Sequence, residues 1–184
     1  MTTRLHEDGL VRCSWAGTDP LYVTYHDTEW GVEVRGDDAM FERLSLEGFQ
    51  AGLSWITILK RREEIRDAFH GFEIKRVAAM SEREAESLMF NDGIIRNRAK
   101  IFSTIKNAQI CQNLEVSNLL WSFAPSASDR NRGSARAASE EATAMSKALR
   151  KLGFGFVGPT TMHALMQAVG MFNEHDSACF RHSA

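Results

Sequence analysis

Long apolar runs are missing from this chain, and with them a helix that spans a membrane, which needs about 20 consecutive apolar residues. Met1–Leu10 lacks the basic and apolar pattern of a signal peptide, so the expected compartment is the cytoplasm, with no membrane partner. Excess positive charge is missing too: 22 Lys and Arg stand against 24 Asp and Glu, for a net charge of −2. That excludes a strongly basic nucleic-acid coat, whose affinity comes from cations on phosphates. It leaves room for DNA held by a local patch or by the free N–H groups of a helix N-terminus. Cysteine is scarce, and three at wide spacing make no disulfide framework. Three prolines, two tyrosines and little apolar–polar alternation speak against strands. What remains is an all-α chain, a single domain over residues 1–184 and expected as a monomer, with 43% hydrophobic residues to build a core.

What the chain does have is concentrated between Leu46 and Leu59. A lone carboxylate, Glu47, sits in an apolar and small-residue run, with Gly48 and Gly52 expected to break the helical pattern and Trp55 adding a flat face. A buried carboxylate without a partner costs several kcal/mol. A chain accepts that where the acid faces a cavity, a ligand or fixed donors. The plainer alternative is a helix–turn–helix whose Glu47 reaches solvent. Upstream, Cys13 to Gly31 holds both tyrosines, Tyr22 and Tyr25, together with Trp15 and Trp30. Such a stretch builds either a hydrophobic clamp or an aromatic-walled pocket.

In chain order, residues Met1 to Arg12 are expected to be loose. Asp19-Pro20 starts a helix or turn. Asp37 or Asp38 caps a helix through Gly48, and others follow over Leu53–Lys60, Arg62–Phe69 and Ile74–Met80. The capping box Ser81–Glu84 opens Glu82–Phe90. Gly93 is expected to supply a positive φ for a tight turn, before a helix over Asn97–Gln112 that buries Cys111. The N-terminus of that helix, flanked by Arg96, Arg98 and Lys100, combines free N–H groups with positive charge and suits a phosphate. A solvated basic turn is the plainer alternative. Ala124–Ala138 reads as a surface loop. A helix then starts at Ser139 and ends by Gly153, and Pro159 opens a last one with Met162, Leu165, Met166 and Val169 as its core stripe.

Cys13, His26, His175 and Cys179 are the residue types of a tetrahedral zinc site. His175 and Cys179 stand four apart, on one face of a helical turn, and twelve residues separate Cys13 from His26. Such a site would staple segments 13–26 and 175–179, and its four protein ligands would make it structural rather than catalytic. A buried cysteine and a surface histidine at each end is the alternative.

The residues also resemble a known family. Cys13-Ser14-Trp15, Asp19-Pro20-Leu21-Tyr22, Tyr25-His26-Asp27, Glu29-Trp30-Gly31, Leu46-Glu47-Gly48 and Gln50-Ala51-Gly52-Leu53-Ser54-Trp55-Ile56 are similar, in order and spacing, to the DNA-3-methyladenine glycosylase I family. Asp92-Gly93-Ile94-Ile95-Arg96, Leu120-Trp121-Ser122-Phe123, Met145–Leu149, Phe156-Val157-Gly158, Met166-Gln167-Ala168 and His175 extend the likeness to the end of the chain. It implies a helix-hairpin-helix fold, with the hairpin motif near residues 88–105, and zinc on Cys13, His26, His175 and Cys179. It implies a base pocket of Trp15, Tyr22, Tyr25, Glu47 and Trp55, with Glu47 and Tyr25 as the catalytic pair. Gln50, Gly52 and Leu53 would face the gap left by a flipped nucleotide, and Gly93, Ile95 and Arg96 would hold the DNA backbone. The implied partner is double-stranded alkylated DNA, and the product is free 3-methyladenine. Phe49 stands where the family commonly has a polar residue, Pro159 interrupts a familiar Gly-Thr-Thr stretch, and Ala99 replaces a hairpin glycine. No aspartate matches the catalytic one of the wider superfamily, and Glu115 lies in the region where it would be sought. That absence keeps a non-catalytic, zinc-stapled lesion-binding protein as the alternative.

Overall fold

The computed structural model describes residues 2–130 and 138–182, and these form ten α-helices with one small sheet. The expected all-α class holds except at the N-terminus. Thr3–Leu5 (β1) and Val11–Cys13 (β2) pair antiparallel, with Thr3 opposite Cys13 and Leu5 opposite Val11. The expectation of a loose Met1–Arg12 segment therefore fails. Arg12 accounts for it: almost fully buried, its guanidinium reaches Asp8 at 2.7 Å and Asp27 at 2.7 Å. Two acidic partners fix a cation that would otherwise carry a large desolvation cost.

The helices follow: α1 (Pro20–Thr28), α2 (Asp37–Gln50), α3 (Trp55–Leu59), α4 (Arg62–Ala68), α5 (Ile74–Ala78), α6 (Glu82–Ser87), α7 (Arg98–Cys111), α8 (Val116–Trp121), α9 (Glu140–Lys151) and α10 (Pro159–Ala168). Caps explain several starts. Asp19 accepts from the Leu21 N–H with Pro20 in the first turn, Ser81 and Glu84 form the reciprocal box, and Asn97 and Ser139 cap α7 and α9. Residues 131–137 of the expected surface loop lie outside the described residues.

Helix α2 is the hub, packing against α3, α5, α7, α8 and α10. Asp37 and Asp38 do not cap it. They accept instead from the backbone N–H groups of Ser117 and Ile74, which fastens α8 and α5 to its start. Gly48 does not break it either: a Cβ there would sit 3.4 Å from Phe156 Cβ, so this glycine allows close packing inside a continuous helix. The break comes at Gly52, with φ of 80°. Phe49 is fully buried against Phe69, ring centroids 5.6 Å apart, so the departure at this position is absorbed by the core. Met162, Leu165, Met166 and Val169 are buried as the stripe required.

Candidate active site and metal centre

Helices α1, α2, α3 and α10 converge on a cavity of about 190 Å³ lined by Trp15, Tyr22, Tyr25, Trp30, Glu47, Gln50, Trp55, Ala164 and Gln167. An apolar cavity of about 150 Å³ admits benzene, so the space suits one heteroaromatic base. The five expected pocket residues, Trp15, Tyr22, Tyr25, Glu47 and Trp55, meet there. Trp15 and Tyr22 lie 5.2 Å apart by ring centroids, and Tyr25 and Trp55 lie 5.3 Å apart. Glu47 is 4% exposed, so the alternative in which it reaches solvent fails. Its Oε2 has no hydrogen-bond partner among the described residues, and neither has the Trp55 indole N–H. Burial pushes the Glu47 carboxyl up to about 8, against some relief from Arg43. Burial, and then Glu47, holds the Tyr25 hydroxyl well above the usual phenol range. At neutral pH the protein groups of the site therefore form an uncharged cage with an unused acceptor and an unused donor.

Sequence reasoning assigned no role to Ala164 or Gln167, and it counted Trp30 only as part of an aromatic stretch that could be a clamp or a pocket wall. All three lie inside motifs quoted for the family or beside them, but no motif says which face a residue takes. Gln50, expected against DNA, also lines the cavity.

Beside the cavity the two chain ends meet. Cys13, His26, His175 and Cys179 are all buried, and their ligand atoms lie within 4.8 Å of one another. Cys179 Sγ is 3.5 Å from His26 Nε2 and 3.6 Å from His175 Nδ1, and Cys13 Sγ is 3.8 Å from His175 Nδ1. Tetrahedral zinc with the usual bond lengths separates its ligands by roughly 3.3–3.8 Å, a range that holds these three separations, so the four residues could hold that ion. The second ring nitrogens fit as well. His26 Nδ1 lies 2.7 Å from Asp27 Oδ1, and His175 Nε2 lies 3.3 Å from the Trp30 carbonyl oxygen. Such partners fix the tautomer that leaves the other nitrogen free for a metal. The backbone N–H of Asp176 points at Cys13 Sγ from 3.3 Å. Burial holds the Cys13 thiol up, at about 11, and His175 down, at about 4. A bound dication would reverse the first and needs the second. Trp30 joins the two sites, its ring 4.9 Å from Trp15 and 4.6 Å from His175.

The segment expected to form the hairpin lies between the 3₁₀ turn Leu88–Phe90 and α7. Gly93 does not adopt a positive φ. A Cβ on it would meet Glu64 Cβ at 2.9 Å, so the glycine is required by close approach to α4. Arg96 is exposed and pairs with Asp92 at 2.7 Å, Ile94 is buried and Ile95 half-buried. Lys100 is not on the expected basic face. It is buried, and its ammonium donates to the carbonyls of Phe49 and Ala51. Arg98 pairs with Glu86. Leu53, at the Gly52 turn, is 41% exposed. Glu115 is exposed, accepts from Asn118 and does not line the cavity.

The family model described as methyladenine glycosylase matches residues 15–182. A DNA-3-methyladenine glycosylase 1 of Escherichia coli is 45% identical over 179 residues, covering 92% of this chain and 96% of its own. A DNA-3-methyladenine glycosylase of Haemophilus influenzae is 42% identical, with coverage of 92% and 96%. A crystal structure of a 3-methyladenine DNA glycosylase I superposes with a TM-score of 0.86 at 42% identity, covering 93% of this chain and 99% of that one.

Proposed function

Because the chain belongs to the methyladenine glycosylase family, and so hydrolyses the N-glycosidic bond of 3-methyladenine in DNA as a base-excision repair enzyme, we propose that the Glu47 cavity receives the alkylated base after it has swung out of duplex DNA. The observation that carries this reading is the pair of unused polar groups, Glu47 Oε2 and the Trp55 N–H, on residues of a cavity walled by aromatic rings. Buried polar atoms left unpaired in a stable fold are accounted for when a ligand pairs them.

Methylation at N3 places a positive charge on the base and weakens its bond to the sugar. The base departs neutral, so no strong general acid is needed, and an enzyme without the superfamily aspartate can still catalyse the step. Its tasks are to extrude the base, select it, and stabilise the oxocarbenium-like sugar while water attacks C1′. Extrusion costs a few kcal/mol. Stacking on Trp15 and Trp55 offsets part of that, with about 0.5–2 kcal/mol more from cation–π attraction. Glu47 starts uncharged. The arriving cation draws it toward the carboxylate, its proton passes to solvent, and the carboxylate accepts from the amino edge of the base. Tyr22 and Tyr25 orient the ring, their hydroxyls kept protonated by burial.

At the cavity mouth, the turn carrying Gln50, Gly52 and Leu53 occupies the vacated place in the duplex, with Gln50 also lining the cavity. The hairpin residues Gly93, Ile95 and Arg96 hold the backbone. Cys13, His26, His175 and Cys179 would hold zinc, which would supply folding energy and no reactive position, since four protein ligands close its coordination. The chain works as one glycosylase domain and as a monomer. No helix among the described residues is long and apolar enough to cross a membrane. The test is chromatography of bases freed from methylated duplex DNA. Free 3-methyladenine is expected from the wild type, with at least a tenfold slower release by Glu47→Gln. Equal release by the two proteins would remove Glu47 from the reaction.

A further inference from the structure

Gln167 is the cavity residue whose environment is most specified. It stands on α10 and lines the cavity together with Glu47. Its Nε2 donates to Glu174 Oε2 at 2.5 Å. Glu174 is 6% exposed, and its second oxygen lies 3.4 Å from Nε2 of the equally buried His163. His163 precedes Gln167 by four residues, so both side chains leave the same face of α10. A carboxylate accepts, so only the NH₂ end of the amide can face it. The amide orientation is thereby fixed, and Gln167 Oε1 remains as the acceptor available to the cavity.

The cavity thus offers two acceptors, the Glu47 carboxylate and Gln167 Oε1. A base methylated at N3 and joined to sugar at N9 carries hydrogen on nitrogen only at its 6-amino group, which has two. We propose that Gln167 reads this amino group as the second acceptor beside Glu47, with Glu174 as the positioning residue that keeps the amide turned the right way. This rests on the reading of the cavity as the base site. It gives the enzyme a determinant for 6-aminopurines separate from its selection of positive charge, because an oriented neutral oxygen rewards a donor whether or not the base is charged. A site built to pair a substrate N–H rejects an analogue that lacks it, since its own polar group is then left unpaired.

The experiment measures binding of two free bases of the same shape, 3-methyladenine and 3-methylpurine, by quenching of tryptophan fluorescence. Gln167→Met keeps the side-chain length and removes the acceptor. It should lower the preference for 3-methyladenine over 3-methylpurine by roughly five- to tenfold. Glu174→Gln frees the amide to turn and should lower the same ratio by a smaller factor. In the Gln167→Met background it should change the ratio no further. A general loss of stability weakens both bases alike and leaves their ratio unmoved. If Gln167→Met keeps the wild-type ratio while Glu47→Gln still weakens 3-methyladenine, the inference is overturned and the base site stands. If neither variant alters the binding of either base, the base site itself is misplaced.

Discussion

The ammonium of Lys100 lies 2.6 Å from the carbonyl oxygen of Ala51 and 2.7 Å from that of Phe49. One side chain from the first turn of α7, next to the hairpin, therefore closes the C-terminal end of α2. Two carbonyls at a helix C-terminus carry partial negative charge and lack partners within the helix. Lys100 supplies both the partner and the charge, and it does so at the start of the turn that presents Leu53. Lys100→Met keeps the packing of the stem and removes the donor. It should cost about 1–3 kcal/mol in urea unfolding, the penalty for stranding buried acceptors. It should also weaken binding of lesion DNA more than binding of free 3-methyladenine, because the turn loses its anchor and the cavity does not. Equal weakening of both would confine Lys100 to stability.

Glu47 sets a stability limit that grows with pH. Its carboxyl in the fold titrates at about 8, above the ordinary 4.5 of an exposed glutamate. Between those values the folded protein keeps a proton that the unfolded chain releases, so stability falls as pH rises through that window and levels off beyond it. Glu47→Gln cannot ionise and should show no such fall. At pH 8 it should be the more stable protein, by an amount on the order of 4 kcal/mol. Urea titrations at pH 5 and pH 8 check this. Turnover should run the other way: kcat/KM on N3-methylated DNA should climb toward pH 8 in the wild type, as the carboxylate becomes easier to form, and this limb should vanish in the variant.

Much of this site was legible in the chain because its chemistry sits on unusual residues. A carboxylate in an apolar run, an aromatic cluster and two Cys–His pairs each violate the ordinary pattern of a helical core, and the fold brings the first two to one cavity and the last to one buried cluster. What escaped was settled by tertiary contact. Lys100 reads as a surface cation at a helix start, and only the nearby end of α2 turns it inward. Gly48 and Gly93 read as breaks or turns, whereas Gly48 packs against Phe156 within a continuous helix and Glu64 across the interface leaves no room for a Cβ on Gly93. The β1–β2 hairpin escaped because a three-residue strand carries too little alternation to register, and because Arg12 finds Asp27 only after α1 has packed. Gln167 sits in a helix whose sequence signal is its apolar stripe, and that stripe says nothing of what the other face meets.

The proposed zinc site predicts a separation between folding and chemistry. Cys13→Ser should lower zinc content per chain and depress the melting temperature by well over 10 °C, since a structural zinc contributes folding energy directly. The residual folded fraction should release base at the wild-type rate per folded molecule, because no ligand position is left for water. Asp27→Asn keeps a donor-acceptor group beside His26 but loses the charge that Arg12 and His26 share. It should bind zinc about 10-fold or more weakly without abolishing the site. Zinc analysis on gel-filtered protein, with base release normalised to folded protein, reads both. Base release that falls while the fold persists would make the metal part of the reaction.

Leu53 tests the link between the duplex and the cavity. The residue follows Gly52, whose φ of 80° turns the chain out of α2, and it leaves 41% of its surface exposed. Its backbone N–H is tied to the Gln50 carbonyl at 2.6 Å, so the tip is held in one shape while the side chain stays uncovered. Burying a leucine fully is worth about 1.5–3 kcal/mol, the size of effect expected when it fills the place of an extruded base. Leu53→Ala should therefore weaken binding to duplex DNA containing the lesion by roughly tenfold or more, and leave the affinity for free 3-methyladenine within about twofold of the wild type. Gln50 lines the cavity from the same turn, so a Gln50→Ala variant should weaken both ligands, and the contrast between neighbours three residues apart locates the boundary between gap and cavity. If Leu53→Ala left lesion-DNA binding intact, the turn would have no place in the duplex, and extrusion would have to rest on capture by the aromatic walls alone.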